Sequence, residues 1–101
     1  MQNWWKTVKV TVVGLVTPHV LRGVDLARQA ESGVNVDWHL RDAVWKTVED
    51  LGQQYNASEL LAAYAHGLET VAQDAGKGPF AYASALTLAA AQAARHLEAR
   101  G

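Results

Sequence analysis

Four histidines, three serines, ten carboxylates and four tryptophans are the side chains of this chain that could carry chemistry or recognition. Metal binding needs ligands brought onto one face by their spacing, as in H-E-x-x-H or paired E-x-x-H motifs. His19, His39, His66 and His96 instead fall on four different predicted helices, with no such spacing among them. His66 and Glu69 are neighbours three residues apart, but on the predicted wet face of the third helix. With no cysteine there is neither a thiolate site nor a disulfide. No metal is expected, and nothing calls for a cofactor. Ser32, Ser58 and Ser84 are the available hydroxyl nucleophiles of that type, and none stands in a G-x-S-x-G turn. Gly76 and Gly78 lie between helices, without the strand-loop-helix setting or K-[ST] ending of a phosphate loop. The adjacent Glu49 and Asp50 sit on a predicted wet face. The expectation is a protein that is not an enzyme.

The tryptophans point elsewhere. Trp38 and Trp45 are seven residues apart, so on a helix they fall almost on one line. That line runs roughly 100° around the axis from the Leu40, Val44, Val48 and Leu51 stripe. Arg41 and Gly52 lie beside it. The rings either close the flank of a small core or form a partner-facing patch, since tryptophan and arginine are enriched at binding hot spots. Trp4 and Trp5, beside Lys6 and Lys9, raise the same question at the N-terminus, where two aromatics and two lysines are weak support for membrane-surface insertion.

The elements that must position these groups can be read from periodicity. Thr7 to Val13 alternates valine with lysine and threonine, which favours a short strand. Trp4, Val8, Val12, Val16 and Val20 also recur every four residues, the spacing of a helix, but Gly14 and Pro18 count against an unbroken one. Thr17-Pro18 reads as an N-cap and first helical residue, with a helix to Ser32 and a stop at Gly33. Asp37 would cap a second helix, Trp38 to about Gln54, whose stripe continues to Tyr55. Asn56 and Glu59 resemble a capping box. The third helix carries Ala57, Leu61, Tyr64, Leu68, Val71 and Ala75 at alternating spacings of four and three. Gly76-Lys77-Gly78-Pro79 then breaks and restarts the chain. The fourth helix, about Pro79 to Ala99, has two apolar stripes: Tyr82, Leu86, Ala89 and Ala93, and Ala81, Ala85 and Leu88. The expected fold is therefore mainly α, one small four-helix domain over residues 17–101. It is preceded by a short N-terminal strand or extended segment over residues 1–16. No repeat of 20 to 50 residues is present.

Composition and charge limit the partners. Half the residues are hydrophobic and 19% are charged, a globular balance. No apolar run is long enough to span a bilayer, and Lys6 and Lys9 interrupt the place where a secretion signal would put its apolar region. An intracellular or particle-associated protein is expected. The formal net charge of −1 does not suit a general polyanion binder. Residues 1–33 carry +2, residues 34–56 carry −2, residues 57–76 carry −3 and residues 77–101 carry +2. That alternation fits packed segments complementing one another, or attraction between copies.

A short strand, Thr17-Pro18, a helix ending at Gly33, and a second helix opening Val36-Asp37 with Leu40 and Val44 is similar to the layout of ribbon-helix-helix repressors. The likeness covers about residues 7–51. It implies a strand paired across a dimer, its outward residues Lys9, Thr11 and Val13 reading DNA; of these, Lys9 and Thr11 suit base edges. The first helix departs from the pattern, because Asp25, Arg28 and Gln29 land near core positions. A small dimeric DNA-binding regulator is thus the alternative. The main expectation is a structural or interaction module that self-associates or docks into a larger protein assembly, such as a viral or other particle. Its partner-binding residues would be Trp4, Trp5, Trp38, Arg41, Trp45 and Leu88. A lone strand and a doubly apolar last helix would both need covering by a second copy or a different protein.

Overall fold

A computed structural model describes residues 10–100 of the chain. They form four α-helices: α1 (Val10–Arg28), α2 (Asp37–Gly52), α3 (Ala57–Ala75) and α4 (Phe80–Arg100). The mainly α four-helix domain is the one the periodicity predicts.

The beginning of the chain departs from expectation. Residues 10–13, predicted as strand, belong to α1, which also runs through the predicted helix start at Thr17-Pro18; residues 7–9 lie outside the described residues. The four-residue spacing decides the matter. Val12, Val16, Val20 and Val24 are all at most 4% exposed, and a helix satisfies its own backbone groups where a lone strand cannot. Pro18 lacks the N–H that would reach the Gly14 carbonyl. Both residues lie on the exposed side of α1, where water can take the freed group. Thr17 is no cap; its hydroxyl donates to the Val13 carbonyl at 2.7 Å, a common mid-helix arrangement. Among the described residues there is no strand, so the strand-first layout shared with ribbon-helix-helix repressors is absent from residue 10 onward.

The end of α1 matches its signals better. After a single 3-10 turn over Gln29–Ser32, Gly33 adopts φ 85° and donates its N–H to Ala30, the left-handed stop for which glycine has no Cβ penalty. At α2 the N-cap position is Val36 and not Asp37, and the Asn35 Oδ1 just before it accepts the Asp37 N–H at 3.1 Å. Asp37 instead supplies negative charge to the first turn. The helix ends at Gly52, so Tyr55, expected on its apolar stripe, lies beyond it and is fully exposed. Asn56 is the N-cap residue of α3 as predicted, yet its side chain makes no capping hydrogen bond. Pro79 precedes α4 and accepts the Ala83 N–H at 3.0 Å.

Helix α3 is the centre of the domain. Leu60, Leu61, Tyr64, Leu68 and Val71 are buried, and so are the small residues Ala63, Ala65, Gly67, Ala72 and Ala75. The first set supplies apolar area, and the second lets neighbouring helices approach on several sides. It packs mostly on α4 and α1 and less on α2. Where α1 crosses, a Cβ on Gly23 would stand 3.2 Å from Leu68 Cδ2, so the glycine is what permits that closeness. Leu86, Ala89 and Ala93 of α4 complete the core. At the opposite end, the Arg28 guanidinium lies over the Tyr82 ring at 5.8 Å and ties the end of α1 to the first turns of α4.

Candidate interaction surface

Helix α2 places the tryptophans by the same arithmetic that places its core face. Leu40, Val44, Val48 and Leu51 are buried, together with Ala43 and Thr47. Every residue on the far side therefore faces solvent. Trp38 is 69% exposed and Trp45 50% exposed. Arg41 and Glu49 are exposed beside them. Asp42 and Lys46 pair within the helix at 3.1 Å. Trp38 packs edge-on against His39, with ring centroids 5.5 Å apart. Trp38 and Arg41 face solvent and Trp45 is half-buried, so the three lie along one partly solvated side of α2.

The other expected partner-binding residues fare differently. Trp4 and Trp5, with Lys6 and Lys9, lie outside the described residues. Leu88 is partly buried, and Ala85 on the same stripe is buried. Helix α4 packs on α1 and α2 as well as on α3, and of its second apolar stripe Ala85 is buried, Leu88 partly buried and Ala81 exposed. Besides Phe80 in its first turn, α4 leaves exposed the small or polar residues Ala81, Ser84, Thr87, Ala91 and Ala94. With Glu69, Gln73 and Ala72 of α3, several of these line a shallow groove.

A buried polar cluster went unseen in the sequence. Thr47 of α2, 3% exposed, shares hydrogen bonds with the Tyr64 hydroxyl and, at 3.2 Å, with His19 Nδ1. The His19 ring also meets Tyr64 edge-on at 6.5 Å. Burial pushes the Tyr64 phenol up to about 12, outweighing the Thr47 hydrogen bond and the positive charge of Arg22, which both pull it down. A phenol held protonated this firmly is a poor nucleophile or base at neutral pH. The cluster joins α1, α2 and α3 and leaves no buried polar side-chain atom without a partner among the described residues. Its signal was Thr47, a polar residue between Val44 and Val48 on the apolar face of α2.

The serines lie far apart in the chain order of elements: Ser32 ends the 3-10 turn, Ser58 opens α3 and Ser84 is on the outside of α4. Among the described residues no three His, Asp or Glu side chains converge as metal ligands, and no helix is long and apolar enough to cross a membrane. Compared with protein-family models, with curated proteins and with solved structures, the chain matches none significantly.

Proposed function

We propose that this chain is a non-catalytic protein-interaction module, and that the Trp38, Arg41 and Trp45 face of α2 is its docking surface. The observation that carries the reading is the exposure of the two indoles, 69% and 50%, on one helix face. Indole surface left in water is unfavourable, and that exposed part contributes little to the fold. Two rings at these exposures offer on the order of 200 Å² of apolar area. Covering it would stabilise a complex by roughly 5 kcal/mol before the loss of freedom on association is deducted. Arg41 adds a planar donor at the edge of the patch, the pairing of residue types that recurs at binding hot spots. In this reading the protein works by self-association or by docking into a larger assembly.

The test is position-specific cross-linking in the cell that makes the protein. A photo-reactive residue in place of Trp38 or Trp45 should yield discrete adducts with another polypeptide. The same residue in place of His66, exposed on α3, should yield none. Adducts of equal yield at all three positions, or none at any, would refute the docking surface.

A further inference from the structure

We propose that the first two turns of α1, residues 10–17, are a strap that opens about Gly14 and Pro18 while the rest of the helix stays docked. The proposal goes beyond the docking surface on α2 and is independent of it in residues and in test.

Three features loosen the same stretch of helix. Glycine and proline are the residues least favourable to a helix interior, and α1 carries Gly14 and Pro18 about one turn apart. Pro18 has no N–H to offer the Gly14 carbonyl, so the ladder lacks a rung there. Nothing lies within 4 Å of where a Cβ on Gly14 would stand, so no packing at that position compensates. Thr17 donates its hydroxyl to the Val13 carbonyl at 2.7 Å, an arrangement that slightly weakens helices and bends them.

The two halves of α1 are also held unequally. The strap is anchored by Val12 and Val16, with Val13 packed partly against the core. Beyond Pro18, Val20, Val24 and Ala27 are buried, His19 bonds to Thr47, and Arg28 lies over the Tyr82 ring. Beside the strap is a cavity of about 290 Å³ whose lining includes Leu15 and His19 of α1, Leu51 of α2 and Leu60 of α3. With the strap closed, Leu51 and Leu60 are only 4% and 0% exposed. Opening withdraws Leu15 from the cavity and bares both leucines, turning a closed end of the bundle into an apolar recess. Few contacts are lost in that step, so it lies well below global unfolding in free energy.

Native-state hydrogen exchange of the full chain, read amide by amide, tests the strap. A helix pairs the amides of residues 14–17 with the carbonyls of residues 10–13. After correction for intrinsic rates, those amides should exchange about a hundredfold or more faster than Leu68 and Val71 in α3. Low urea should hardly change them, because opening exposes little surface, whereas the α3 amides should accelerate steeply. Pro18→Ala should slow exchange at residues 14–17 about tenfold or more, and Gly14→Ala about two- to fivefold. Slowing by either substitution supports the hinge. The proposal is overturned if residues 14–17 share the rates and urea dependence of α3. It is equally overturned if both substitutions leave their exchange unchanged, since the opening is then ordinary fraying of a helix end.

Discussion

Alkaline pH should weaken this fold through Tyr64. Its side chain is 2% exposed and its phenol is pushed from 10.0 up to about 12, chiefly by burial. The folded pKa lies above the unfolded one, so below about pH 10 both states keep the proton and the contribution is fully present. Between about pH 10 and about pH 12 the unfolded chain releases the proton while the folded chain holds it, and stability falls as pH rises. Two units correspond to about 3 kcal/mol at the upper end. Tyr64→Phe removes the titration together with the hydrogen bond to Thr47, a loss of about 1 kcal/mol at neutral pH, moderated by the contact Thr47 keeps with His19. Urea unfolding of both chains, followed by circular dichroism from about pH 8 to about pH 12, isolates the effect, since every other ionisable group is common to both. The wild type should lead by about 1 kcal/mol at the lower pH and trail by about 1–2 kcal/mol at the higher. A difference that stays constant across the range would refute the buried phenol.

Trp38→Ala and Trp45→Ala should each change folding stability by less than about 1 kcal/mol, whereas Leu86→Ala, at a position with no exposure, should cost about 3–5 kcal/mol in the same denaturation assay. Gly14→Ala should stabilise the protein by about 0.5–1 kcal/mol, because a Cβ there meets nothing within 4 Å in the middle of α1. Leu88→Glu should lower stability by about 1–2 kcal/mol in the same assay. Far-ultraviolet circular dichroism should show helix well above the one-third typical of globular proteins.

The helices legible in the sequence were those whose burial follows a single stripe. Helices α2 and α3 show alternating spacings of four and three because one face meets the core, and such a pattern survives any detail of packing. The first helix was harder because Val8 and Val12 fit both a strand period, with Val10, and a helix period, with Val16 and Val20, and local rules weighed Gly14 and Pro18 as breakers. Tertiary burial of Val12, Val16, Val20 and Val24 outweighs the roughly 3 kcal/mol that an interior proline costs. In α4 the two apolar stripes read as one face too many for a short chain. That count assumed packing on α2 and α3 alone, whereas α1 also touches α4. A sequence shows how wide an apolar face is, but not how many neighbours share it.

The candidate surface depends on the same packing. The central helix buries Ala63, Ala65, Gly67, Ala72 and Ala75, and α4 adds Ala85, Ala89 and Ala93, so the helices approach closely around a core of valines, leucines and Tyr64. The line through Trp38 and Trp45 falls to the side of the α2 face that enters this core. Periodicity placed those rings to the side of the apolar stripe but left open whether a neighbouring helix would fold over them. None does. Trp38 at 69% and Trp45 at 50% exposure keep much of their indole surface in water, where it adds little to the isolated fold, and that cost is the physical ground for reading the face as a docking surface.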